Sequence, residues 1–425
     1  MTPLKTSSDL QKTTSYKVVI PFYGFAAFSF LIACILLLLH TEVWQQHYFN
    51  PKTLAITHLM ALGWGTMIIL GASHQLLPVI IEGKLDSELL AYLSFACAAT
   101  GIPLLVCGFY YFDTGLLLQS GAVLVNAAVV FYLVNVISSI YENKKLDVYA
   151  MFIATASLWL FATTFFGLML VFNFTRTWLP DNSLQYLSLH AHMGLAGWFL
   201  LMVLGVGSKL IPMFLISKYS NTKTLWILFA LINLSLLFFI GVKSFQLQSW
   251  LYSIPMAGIM LSVLLFSHYC YRAYQLRIRK KTDRQIKVSL LSIAIILLPL
   301  LTLAVIVTFI RPGIPSNIVL LYGFTIFFGW LTAIIFGMTF KTLPFIVWNR
   351  IYHDTVTNKT PLPKALFSEA LFTGMTVCYL AGFTVFVAGI IGSYNLLLQL
   401  GAVSLLASAI FYITNVTKTI FHKPV

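Results

Sequence analysis

Two histidines stand two residues apart at the head of the apolar run SLHAHMGLAGWFLLMVLGVGSKLIPMF, residues 188–214, and a third, His58, heads a similar run from THLMALGWG. A neutral imidazole nitrogen is the most general side-chain ligand for iron, copper and zinc. Ionisable groups inside an apolar span are costly, so their default reading is functional. The plainer alternative is an imidazole hydrogen-bonded to a neighbouring carbonyl. Successive helical residues turn by about 100°, so His190 and His192 point roughly 200° apart, to nearly opposite sides. From a regular helix they cannot chelate one ion. Each serves a different neighbouring space, and one of those spaces is within reach of His58.

The elements that carry these residues are membrane spans. The chain is 59% hydrophobic and 9% charged, with a mean hydropathy of +0.90, whereas water-soluble domains are about a quarter charged. Twelve stretches are long enough to cross about 30 Å of hydrocarbon. Their lengths and lack of alternation make them helices rather than barrel strands. The fold class is therefore all-α: a polytopic protein with a polar tail over 1–17 and a single membrane domain over 18–425.

The net charge of +14 is a matter of topology. Most of the 26 Lys and Arg, among them Lys5, Lys12, Lys17, Lys144, Lys145, Arg350 and the cluster RIRKKTDRQIK, fall on the side of the N-terminus. Lys52, Arg176, Lys243 and Arg311 fall on the other. The positive-inside rule then puts both termini in the cytoplasm and the chain in the cytoplasmic membrane. The basic excess meets lipid headgroups, not nucleic acid. Cys34, Cys97, Cys107, Cys270 and Cys378 lie in apolar spans without CxxC or CxxCH spacing, as small core residues do.

The opening stretch recurs. GWGTMIILGASHQLLP from 63, GWFLLMVLGVGSKLIP from 197 and GWLTAIIFGMTFKTLP from 329 share a Gly-Trp pair, a second glycine (Gly71, Gly205, Gly337) and a proline (Pro78, Pro212, Pro344). These are the second, sixth and tenth spans. LLLQSGAVLVNAAVVFYLVNV from 116 likewise matches LLLQLGAVSLLASAIFYITNV from 396, aligning Asn135 with Asn415. The pattern predicts three pseudo-threefold-related four-helix units, about 18–140, 149–275 and 286–418. The glycines allow close approach of helices or of a flat ligand, and the proline is expected to end each long helix.

What breaks the repeat is where function is expected. Five positions before the Gly-Trp glycine stand His58, His192 and Phe324; seven before it stand Ile56, His190 and Tyr322.

The run HAHMGLAGW…G…P resembles the haem-binding helix of haem-copper oxidase subunit I, closest to cbb-type oxidases and nitric oxide reductases. In that family an HxH pair supplies axial ligands to two haems on opposite faces of one helix, and a single histidine on the second helix completes the low-spin haem. The resemblance implies that His58 and His192 sandwich a haem b, that His190 holds a second haem or a copper ion, and that Thr57, Tyr186, Tyr322 and Trp198 support the rings. This sequence departs from the family in three ways. The HxH pair is on the sixth helix rather than the tenth; the seventh, TKTLWILFALINLSLLFFIGVKSF, has no histidine for a copper centre; and the spans carry no carboxylates beyond Glu369 at the edge of the eleventh. A complete oxygen-reducing pump is thereby disfavoured. What remains resembles divergent members such as the NnrS-type haem- and copper-containing membrane proteins linked to nitric oxide tolerance. A redox role beside a respiratory-chain subunit or electron donor follows from that likeness.

Two other readings compete: a haem or copper transporter or assembly factor, and a partner subunit with a vestigial site. Elsewhere, His40 and His47 flank the first outer loop, HTEVWQQHYFN, as a weaker metal site or a solvated pair. His74 lies about 24 Å along its helix from His58, in the opposite half of the span. Lys209 and Lys341, near that level, are expected to snorkel to phosphates.

Overall fold

The computed structural model describes residues 14–143, 146–309, 315–352 and 360–424. Lys5, Lys12, Lys144, Lys145 and Arg311 lie outside them. Twelve described helices are long and apolar enough to cross a membrane, as in a multi-pass membrane protein. In chain order they are α1 (Tyr16–Leu39), α2 (Pro51–Ile81), α3 (Glu88–Tyr111), α4 (Leu116–Asn143), α5 (Val148–Phe172), α6 (Leu187–Leu215), α7 (Thr222–Ser244), α8 (Ser249–Gln275), α9 (Arg284–Phe309), α10 (Ser316–Tyr352), α11 (Glu369–Gly392) and α12 (Asn395–Ile420). The long α2, α6 and α10 are the Gly-Trp helices, and they are the most buried of the twelve.

Each of these three helices widens into a π-helical segment at the repeat: Leu59–Thr66, Met193–Leu200 and Thr325–Leu331. His58, His192 and Phe324 are the last regular α-helical residues before each segment. Single-turn π segments shift side chains around the helix axis and recur at functional sites. Two of the tryptophans join the long helices: Trp64 Nε1 donates to Thr332 Oγ1 at 3.1 Å, and Trp198 Nε1 to Thr66 Oγ1 at 3.0 Å. Thr66 and Thr332 occupy one repeat position, at which α6 carries Leu200. In lipid, where apolar burial does not drive helices together, such bonds and close packing do.

The repeat glycines set that packing. A Cβ on Gly71 would lie 2.7 Å from Phe22 of α1, one on Gly205 2.4 Å from Phe152 of α5, and one on Gly337 2.1 Å from Ser289 of α9. Each long helix thus holds the helix preceding it in close contact. The aligned asparagines act alike as well. Asn135 Oδ1 accepts from Ser87 N at 3.0 Å while its Nδ2 donates to Ser87 O at 2.8 Å; Asn415 does the same to Ser368 at 2.8 and 3.0 Å. Ser87 and Ser368 are the N-caps of α3 and α11, so a buried amide on the following helix fixes each start.

The repeat proline does not end its helix, contrary to expectation. α2 and α6 run on to Ile81 and Leu215 and stop at Glu82 and Ile216, both with φ of 52°; α10 continues to Tyr352. A proline inside a helix frees the carbonyl four residues before it, and here side chains take up two of the three. Thr14 Oγ1 donates to His74 O at 2.7 Å, and the Tyr269 hydroxyl to Ser208 O at 3.1 Å. Lys341 of α10 pairs with Asp283, the residue preceding α9, rather than standing free. Burial raises the Asp283 carboxyl, but the Lys341 bond and charge, with Arg279, outweigh it and hold the group below its usual value.

Candidate functional site

His58 and His192 are fixed in the same way. His58 Nδ1 donates to Leu54 O at 2.8 Å and His192 Nδ1 to Ser188 O at 2.7 Å, each the carbonyl four residues earlier. A carbonyl only accepts, so in the neutral ring Nδ1 carries the proton and Nε2 keeps the lone pair that a metal would take.

His190 is placed differently. Its Nδ1 is buried without a hydrogen-bond partner, and its Cε1 lies 2.8 Å from where a Cβ on Gly167 of α5 would stand. Only the missing side chain at Gly167 lets this ring settle against α5.

The structure brings His58 together with His190, not with His192. The His58 and His190 ring centres are 6.3 Å apart, with planes at 23°. Both line a partly open cavity of about 190 Å³ bordered by α2, α3, α4, α5 and α6, with Phe327 of α10 also on its wall. Phe109 of α3 stacks on His58 at 4.4 Å, and Thr57 and Trp198 also line the space. The lining is otherwise mostly apolar, with Thr66, Asn126, Thr163, Thr164 and Ser183 as the other polar side chains.

His192 faces the other way. Its Nε2 is 3.3 Å from the Tyr322 hydroxyl of α10, which can donate to it, and its ring centre is 5.0 Å from Phe239 of α7. The expected His58–His192 sandwich is therefore replaced by a His58–His190 pair. The reason is the interleaving of the long helices: position −5 of one faces position −7 of the next. His192 and Tyr322 repeat the relation, with centres 5.9 Å apart and planes again at 23°. Of the expected supporting residues, Tyr186 instead sends its hydroxyl 3.5 Å from Asp181 Oδ2.

His40 and His47 are each held by other groups. Lys52 Nζ is 3.2 Å from His40 Nδ1 and the Tyr110 hydroxyl 2.9 Å from Nε2, while His47 stacks on Tyr48 at 4.2 Å. Among the described residues no group of three or more His, Cys, Asp or Glu is placed to hold a metal ion.

Three contributors escaped the sequence reading: Gly167, Phe109 and Asn126. A glycine in an apolar span carries no signal of its own, and neither does one phenylalanine among 35. Asn126 did carry one, an amide in the middle of a span. Its Nδ2 donates to Ala122 O at 3.1 Å and Thr164 O at 2.8 Å, leaving Oδ1 buried and unpartnered beside the cavity. The chain matches no family model and no curated protein.

Proposed function

We propose that this chain is a haem b-binding integral membrane protein resembling haem-copper oxidase subunit I, with His58 and His190 on the two sides of one cofactor. The observation that carries this reading is the pair of imidazoles 6.3 Å apart in an apolar cavity. His58 and His190 would each hold such a group through one imidazole, about 2 Å from its metal. Two histidines alone underfill the coordination of a copper(II) ion, whereas a haem brings four nitrogens of its own. The fixed Nδ1–H of His58 and the aromatic lining both suit a macrocycle.

A bis-histidine haem supplies one-electron transfer or redox sensing. The residues of this chain do the rest. Leu54 O sets the His58 tautomer, Gly167 seats His190, and Phe109 with the apolar wall keeps water off the ring faces. His192, fixed like His58 and facing Tyr322, is the ligand for the second space, where a haem or copper ion would meet one imidazole and a phenol. We read the whole as three four-helix units around α2, α6 and α10, with the termini cytoplasmic and a role in redox or nitric oxide chemistry rather than proton pumping.

Haem content per chain, measured by pyridine haemochrome on detergent-purified protein, tests the assignment. A His58→Ala, His190→Ala double variant is expected to lose haem more than about tenfold, since loss of a partner that merely orients a ligand already costs 10- to 100-fold in affinity. Full haem content in a folded double variant refutes the pair.

A further inference from the structure

The three long helices line a second cavity, of about 100 Å³, which shares no lining residue with the one that holds His58 and His190. It runs from Ile68 to Leu76 on α2, from Met202 to Leu210 on α6 and from Leu331 to Thr342 on α10, with Tyr23 of α1 on its wall. At 1.5 Å per residue that is about 12 Å along α2 and α6 and about 16 Å along α10. On α6 the first cavity ends at Phe199 and the second begins at Met202.

Among the described residues no charged side chain lines this second space, and its hydroxyls are Tyr23, Ser73, Thr339 and Thr342. Each already has a partner in the protein. Thr342 Oγ1 donates to Met338 O at 3.0 Å and so accepts from the Tyr23 hydroxyl at 2.8 Å; Ser73 donates to Leu70 O at 2.9 Å, and Thr339 Oγ1 is 3.1 Å from the Tyr412 hydroxyl. A cavity lined in this way stays dry and takes apolar molecules. The walls therefore select a neutral hydrocarbon surface.

The lining follows one face of each helix. Ala72, Val206 and Met338 stand nine residues after their repeat glycines, and Leu76, Leu210 and Thr342 thirteen after. Three residues further on, one position past the repeat prolines, the same face carries Val79, Met213 and Phe345. These are 48, 48 and 50% exposed, although the helices that carry them are the most buried of the twelve. Exposed apolar side chains grouped in one place mark a binding site. At the other end Leu331 is buried, so the space opens where α2 and α6 end, on the side of the bundle that carries the termini. Two leaflets share about 30 Å of hydrocarbon, so one acyl chain reaches about 15 Å. That is close to the depth of this space.

We propose that the second cavity is a binding site for a single hydrocarbon chain, which enters past Val79, Met213 and Phe345 and lies between α2, α6 and α10 with its methyl end near Leu331. A membrane phospholipid and a free fatty acid both carry such a chain. The site rests on this cavity and its rim, and not on the haem reading of the first.

Photolabelling of the full chain in phosphatidylcholine vesicles tests it with two probes, a phosphatidylcholine and a free palmitic acid, each bearing a diazirine at the end of the chain. The buried Met202, Leu331 and Ile335 are expected to take up label alongside the lipid-facing Leu234 and Leu264, exposed at 64% and 52%. Label from the phospholipid probe identifies a membrane lipid as the source; label from the acid alone, displaced by unlabelled palmitic acid, identifies a free fatty acid. A folded Ala72→Phe, Val206→Phe variant, whose added rings fill the space, is expected to lose the label at Met202 and Ile335 and to keep it at Leu234. Unmarked Met202, Leu331 and Ile335 beside marked Leu234 and Leu264 in the unaltered protein, with both probes, overturn the site whether or not the protein binds haem. Equal label in the filled variant overturns it as well.

Discussion

The junction of α2 with α6 and the surroundings of Phe324 on α10 hold the same repeat position in different states. Around His58 the space is left open as a cavity faced by a second imidazole. Around Phe324 it is filled: Trp44, Phe328, Phe383 and Phe386 meet the ring at 5.4, 4.9, 5.9 and 4.4 Å. Both positions sit directly before a π-helical segment, so the backbone anomaly does not by itself make a site. What separates them is filling. An aromatic cluster closes one junction as packing, whereas at the other the ring of His190 rests against Gly167 and the space between it and His58 stays open.

Perturbing the two regions should therefore have opposite consequences. The largest effect is expected on stability at the filled junction: Phe324→Ala should cost about 3 kcal/mol in a reversible denaturation assay, from the cavity it leaves, with cofactor content per folded chain unchanged. At the open junction, Gly167→Val places a Cβ 2.8 Å from His190 Cε1. Bound cofactor is expected to fall about tenfold, the scale of mispositioning a ligand, with the melting temperature of the cofactor-free protein nearly constant. Loss of stability without loss of cofactor would reverse the roles assigned to the two regions.

A smaller effect belongs to the ion pair beside α10. Asp283 has its carboxyl held below the ordinary 3.8, so its contribution is complete above that value and is lost as pH falls through the lower, folded one. Melting temperature should drop on acidification below about pH 3.8, and Asp283→Asn should flatten that drop. An unchanged acid limb would show that the Lys341 pair adds nothing to stability. Smallest of all, Leu200→Thr restores at α6 the acceptor that Trp64 and Trp198 find in α10 and α2. If the three long helices are equivalent, Trp330 gains a bond worth about 0.6 kcal/mol, the average for such bonds in a membrane. No gain would argue that the symmetry is confined to two helices.

Span number and the matched asparagines were legible in the sequence because lipid demands long apolar helices and because the chain repeats itself. His58, His190 and His192 stood out for the same reason, as ionisable groups where the third copy has Phe324 and Tyr322. The pairing was not legible. It depends on how far α6 is turned relative to α2, which the π-helical segments and the interleaving of positions −5 and −7 decide, and no local pattern reports that rotation. Pro344 misled in a simpler way: its ring costs one backbone bond, and the helix runs on for eight residues to Tyr352. Gly167 was invisible because its role is the absence of a side chain.

The most direct test of the central claim is the dithionite-reduced minus oxidised visible spectrum of purified protein carrying His190→Ala or His192→Ala, each compared with the unaltered chain. If His58 and His190 share one haem, the unaltered chain shows sharp α and β bands of a low-spin b-type haem, His190→Ala loses them, and His192→Ala keeps them. Bands that survive in His190→Ala and vanish in His192→Ala, or a colourless folded protein grown with ample haem, would contradict the account.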